Sequence, residues 1–205
     1  MRNPAFRRAE PDVRRQSLIE ACARVLARVG AAGASVRIIA VEAGVSPGLV
    51  NHHFGSIDAL IAATYAHVDA VVTQALDEAV AAAGKDARAR LDAYVMASFA
   101  APIADPALLA TWIAFWSLVA ARNDIARLHD EQYAGYRATL ERLLADCGLP
   151  DDDLRLAAIG ITALVDGLWL ELCLSPATFA PGDACRIAAR HLASYFGEPV
   201  ISTDR

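Results

Sequence analysis

"SVRIIAVEAGVSPGLVNHHFG", residues 35–55, decides how this chain folds. Ser35 offers an N-cap, "VRIIAVEA" makes barely two helical turns, and Gly44 supplies the permissive residue that closes them. Ser46 offers a second cap with Pro47 at the favoured first position, and "PGLVNHHF" follows as another short helix. Val45, Leu49, Val50 and Phe54 can turn toward a core, which leaves Gly48, Asn51 and His52 facing out. A helix this short gains little by folding alone, so its neighbours must hold it and its outer face stays available. Two short helices joined by a tight glycine turn, after a supporting helix, describe a helix-turn-helix.

The supporting helix is "RRQSLIEACARVLARVG", residues 14–30. It sets Leu18, Ala21, Cys22, Val25 and Val29 on one face, with Arg14, Arg24 and Arg28 off it, and ends at Gly30 and Gly33. Ser56 caps a long fourth helix through "IDALIAATYAHVDAVVTQALDEAVAAA". Beyond Gly84 the pattern stays helical over 86–101, 106–121, 124–147, 152–174 and 182–197, punctuated by Asp105-Pro106, Asn123-Asp124, Gly148-Leu149-Pro150 and Pro181-Gly182. The chain is therefore all-α, with about nine helices. A three-helix domain over 1–55 precedes a helical domain over 56–205, and the tail "GEPVISTDR" is expected to fray.

Composition narrows the class. The chain of 205 residues is 56% hydrophobic, largely alanine and leucine, and no alternating β-branched run suggests a sheet. Cys22, Cys147, Cys173 and Cys185 lack any paired spacing, so they read as small core residues in a reducing compartment. The N-terminal arginines precede no apolar core of a signal peptide. The run "PALLATWIAFWSLVAA" is shorter than the roughly 18–20 residues needed to span a bilayer. These features predict a soluble cytoplasmic protein without a membrane partner. The net charge of −5 hides a split: residues 1–55 carry eight arginines against four acids, and the remainder carries a net −9. A basic head on an acidic body suggests that the head meets nucleic acid.

The segment "SVRIIAVEAGVSPGLVNHHFGSIDALIAA" after a supporting helix resembles the TetR family of bacterial repressors. Cap, glycine turn, second cap, aromatic position and long fourth helix all occur at the family's spacing. The body text "LLATWIAFWSLVAARNDIARLHDEQYAGYRATLERLL" and "ITALVDGLWLELCLS" is similar to the BetI-type members, which sense choline and control glycine-betaine synthesis. The resemblance implies a homodimeric repressor on a palindromic operator in double-stranded DNA. A small molecule in the body would shift the fourth helix and spread the heads.

Backbone N–H groups of Ser35 and Val36 then meet a phosphate, and Arg37 holds a position that can reach a guanine edge. Ser46 opens the reading helix, and Pro47, Gly48, Leu49, Asn51 and His52 carry the base-facing positions. Asn51 suits an adenine edge and Pro47 a thymine methyl. His53 stands where the family has tyrosine and contacts a phosphate. Ile57 departs from the family's lysine, a weaker phosphate grip that Arg7, Arg8, Arg14 or Arg15 can offset. His52 and His53, about 100° apart on a helix, diverge too far to chelate one metal. No metal site or cofactor is expected.

If choline is the effector, its quaternary ammonium needs aromatic faces and a carboxylate. Trp112, Phe115, Trp116, Tyr133, Tyr136 and Trp169 supply the first, and Asp166, in an otherwise apolar stretch near Glu171, supplies the second. Tryptophans at i and i+4 are more often core than ligand cage, and another small hydrophobic or cationic effector fits the same residues. Dimerisation is expected through 152–174 and 182–197, with Leu164, Leu168 and Leu172 as the ridge. An enzyme, such as a small helical hydrolase using Asp166, Glu171 or His52, is the rival class. No nucleophile and base at motif spacing supports it.

Overall fold

A computed structural model describes residues 4–197, with side chains from Asp12 onward. Residues 198–205 of the tail and the side chains of Arg7 and Arg8 lie outside the described residues. Among the described residues the fold is all-α, with nine helices and no strand. They are α1 (Pro4–Gly33), α2 (Val36–Glu42), α3 (Pro47–Phe54), α4 (Ile57–Ala82), α5 (Ala87–Ala97), α6 (Pro106–Val119), α7 (Asn123–Asp146), α8 (Asp151–Leu174) and α9 (Pro181–Tyr195). The chain divides into two compact units, one of residues 1–70 with 110–129 and the other of 71–109 with 130–205.

In the first unit, α1 buries Leu18, Ile19, Ala21, Cys22, Val25 and Leu26. Val29, expected on that face, is 42% exposed. The helix breaks at Gly30 (φ 67°), and Val29 instead lies against the backbone of Gly33, where a Cβ would sit 2.9 Å from its own. Ile39 and Ala40 of α2, Val50 of α3 and Leu60, Ile61 and Tyr65 of α4 complete this core with Trp112, Phe115 and Ile125.

In the second unit, α8 buries Ala157, Ala158, Ile161, Val165, Leu168 and Trp169, and α9 contributes Ala184, Ala188 and Leu192. That core also includes Leu91, Tyr94 and Val95 of α5 with Leu140, Leu143 and Leu144 of α7. Gly160 has a packing reason: a Cβ there would meet the Tyr195 hydroxyl at 3.1 Å. Leu168, expected on the outer ridge of α8, is buried inside the protomer, and Leu164 and Leu172 are half-buried. Among the described residues of this unit, the large apolar ones left exposed are Leu156, Leu170 and Leu174 of α8 and Ile187 of α9. Both α4 and α8 are long and apolar enough to cross a membrane by length and composition, yet each also buries a stripe in a protein core.

Candidate functional site

The turn between α2 and α3 closes as a Schellman motif. Gly44 adopts φ 67°, its N–H reaches Val41 O at 3.1 Å, and the Val45 N–H reaches Ala40 O at 2.9 Å. Ser35 caps α2 by accepting from the Ile38 N–H at 3.3 Å, and Ser56 caps α4 by accepting from Ala59 at 3.1 Å. Ser46 departs from expectation. It stands at the N-cap of α3 with extended backbone, but its side chain makes no capping bond. Its carbonyl takes the Leu49 N–H at 3.0 Å instead, and Pro47 has no N–H to satisfy.

This geometry fixes what α3 shows to solvent. Val50 is buried and Leu49, His53 and Phe54 are half-buried, whereas Ser46, Pro47, Gly48, Asn51 and His52 are exposed. On α2, Ser35 and Val36 are half-buried and Arg37 is exposed, with no ion pair among the described residues. The His52 and His53 rings meet edge to face at 75° with centroids 5.4 Å apart.

Part of the head's positive charge is already committed. Arg24 Nε and Arg28 Nη1 both donate to Glu42 at 2.9 Å, joining α1 to α2. The Arg24 hydrogen bond, then that of Arg28, holds the Glu42 carboxyl below its ordinary range. Arg15 lies over the Phe54 ring at 4.9 Å, a cation–π contact between α1 and the end of α3.

The expected aromatic residues fall into two groups. In the first unit Trp112 and Phe115 are buried against Tyr65, with ring centroids 5.2 and 4.8 Å from it, and Trp116 is half-buried. Asp69, one turn beyond Tyr65, is half-buried without an ion pair among the described residues, and burial pushes its carboxyl up to about 6.

The second unit gathers the others. The Tyr133 hydroxyl donates to Asp166 Oδ1 at 3.1 Å, and the Tyr94 and Tyr136 rings stack at 5.2 Å. Trp169 Nε1 donates to the Ser98 carbonyl at 2.8 Å, and Arg137 lies 5.6 Å over the Tyr133 ring. Burial pushes the Asp166 carboxyl up to about 6, against the Tyr133 hydrogen bond and the attraction of Arg137.

Ser98 Oγ, the Tyr136 hydroxyl and Arg137 Nε are buried here without a hydrogen-bond partner. The Ser98 hydroxyl is near enough to favour the Tyr136 phenolate slightly, yet no hydrogen bond closes between them. An unmatched buried polar atom costs about 1–3 kcal/mol, and this unit carries three of them, on α7 and at the C-cap of α5. Tyr94, Ser98 and Arg137 escaped the sequence reading. A separate open cavity of about 530 Å3 in this unit is lined by Asp77, Lys85, Arg90 and Arg142 and by none of the expected residues. Among the described residues, no group of His, Cys, Asp or Glu could hold a metal ion.

Comparison with known proteins finds a family match in each half of the chain. Residues 18–64 match the model of bacterial regulatory proteins of the tetR family, and residues 87–197 match the BetI-type transcriptional repressor C-terminal model. The HTH-type transcriptional regulator BetI of Paraburkholderia phytofirmans is 37% identical over 86% of this chain and 90% of its own length. A crystal structure described as a transcriptional regulator of Pseudomonas aeruginosa PAO1 superposes with TM-score 0.81 at 45% identity, covering 90% of each chain. A regulator from Saccharomonospora viridis, solved in complex with choline, shares the fold with TM-score 0.73 at 22% identity, over 85% of this chain and 93% of that one. The chain is thus a member of the TetR family of bacterial transcriptional regulators, with a helix-turn-helix at its N-terminal end and a C-terminal region of the BetI type.

Proposed function

We propose that the protein is a cytoplasmic homodimeric repressor that binds a palindromic operator and responds to choline or a close quaternary ammonium compound in the control of betaine synthesis. Residues 1–55 serve as the DNA-binding domain and 56–205 as the effector-binding and dimerisation domain. Ser35 and Val36 offer backbone N–H groups to phosphate, and His53 contacts another. Arg37 reads a base edge from α2, and Pro47, Gly48, Leu49, Asn51 and His52 do so from α3, which Ser46 opens as its N-cap. Replacing Arg37 with alanine is expected to weaken operator binding by about 1–3 kcal/mol per half-site and relax base preference there. A mobility-shift titration at fixed salt checks this, and unchanged affinity removes Arg37 from the reading surface.

The observation that carries the effector reading is Asp166, a raised carboxyl hydrogen-bonded to Tyr133 in a cluster with Tyr94, Tyr136 and Trp169. A quaternary ammonium donates no ordinary hydrogen bond, so aromatic faces and one carboxylate are what it needs. The choline bound to the Saccharomonospora viridis relative and the name of the curated relative favour the same chemistry. Trp112 and Phe115, committed to Tyr65, are better read as core than as cage.

Asp166 carries charge only above its raised value of about 6, so choline binding is lost as the pH falls. If only the ionised form binds, affinity at pH 5 is expected to be about tenfold below that at pH 7.5. Asp166→Asn is expected to remove the response at either pH and leave DNA binding of the free protein intact. Calorimetry with choline at both pH values on the wild type and this variant tests the binding, and a mobility shift without choline tests the DNA contact. No heat with the wild type ends the choline reading and leaves the family untouched.

A further inference from the structure

Arg122, in the turn between α6 and α7, joins the first turns of two helices. Its Nε and Nη2 donate to the two oxygens of Asp124 at 3.2 and 2.7 Å, which fixes the plane of the guanidinium. Nη1 is left for Asp58, 2.7 Å away. Asp124 lies in the first turn of α7 and Asp58 in the first turn of α4, where negative charge also meets the positive helix end. The Arg122 side chain is only 17% exposed. Asp58 comes three residues after Gly55, the φ 75° residue through which the chain leaves α3.

We infer that Arg122 is a positioning residue for DNA binding, which clamps the first turn of α4 to the α6–α7 turn and so sets the direction in which α3 is presented. The inference rests on the family's DNA-binding role. Operator recognition requires two such helices at matched spacing, so looseness at the base of α3 lowers affinity without removing any contact to DNA. A fork-shaped cation is required because it serves both acids at once, and a lysine is a point charge that cannot hold the same geometry.

The test uses the full-length protein and a duplex that the wild type selects from random-sequence DNA. Arg122→Lys and Asp58→Asn are each expected to weaken binding to that duplex about tenfold, as two exposed-pair losses per dimer allow. The double variant is expected to be no weaker than either single one. The slope of affinity against salt stays that of the wild type, because no phosphate contact is lost.

Asp58→Asn is the sharper variant. Removing a carboxylate near a polyanion would by charge alone tighten binding, so weakening points to position. Hydrogen exchange without DNA is expected to speed up over residues 55–64 in both variants, and this readout stands even where no duplex is selected. The inference is overturned if Asp58→Asn binds as tightly as the wild type or more so. It is equally overturned by unchanged exchange, or by an Arg122→Lys loss accompanied by a lower salt slope.

Discussion

Replacing Phe115 with alanine is expected to cost about 3–5 kcal/mol of folding stability, the range for a fully buried aromatic ring. Phe115 is 0% exposed, and its ring lies 4.8 Å from Tyr65 and 5.8 Å from Trp112. Tyr65 and Trp112 close the triangle edge to face at 86°. Each ring pair adds about 0.5–1.5 kcal/mol beyond area burial, and the cavity left by alanine forfeits two of the three. Against a total stability of about 5–15 kcal/mol, such a loss unfolds a large share of the chain near growth temperature.

A ring lining a ligand cage would behave differently. Its removal would weaken effector binding first and leave the urea midpoint nearly unmoved. Urea titration followed by circular dichroism separates the two: a midpoint lowered at constant slope identifies core packing. A loss under about 1 kcal/mol would return Phe115 to the list of effector contacts.

What could be read from the sequence here was what is decided within a few residues. The cap at Ser35, the turn at Gly44 and the cap at Ser56 each rest on a hydrogen bond or dihedral inside a six-residue window, and all three stand where expected. Ser46 failed because two acceptors of the same residue compete for the Leu49 N–H and the carbonyl won. Choice of face on α8 was harder. Leu164, Val165, Leu168, Leu170, Leu172 and Leu174 nearly encircle the helix, so periodicity alone leaves the inner side undetermined.

Charge counting had a similar blind spot. Arg24 and Arg28 look like free positive charge until Glu42, fourteen or more residues away, is brought beside them. The aromatic residues divide for the same reason. Their presence is visible in sequence, but which ones face Tyr65 and which face Asp166 is set by packing between helices. One signal was available. The stretch 106–119 carries no charged residue, and a helix apolar all round belongs in a core.

The outer face of α8 leads to the expectation with the largest consequence for DNA binding. Leu156 and Leu174 are 63% and 72% exposed, with Leu170 and Ile187 also open to solvent, and the small residues Ala163 and Gly167 lie among them. Paired across a two-fold axis, this face would bury its leucines against the same face of a second copy. Leu170→Glu would then bury one carboxylate from each copy in an apolar seam, at a cost of several kcal/mol per ion. The variant is expected to be monomeric and folded, and to bind operator at least about a hundredfold more weakly, because each monomer holds a single half-site. Leu168→Glu provides the contrast. Its side chain points into the protomer core, so that variant is expected to lose helicity rather than merely dissociate. Light scattering and circular dichroism on the two proteins distinguish the faces. A Leu170→Glu protein that remains a dimer would show that the two copies meet elsewhere.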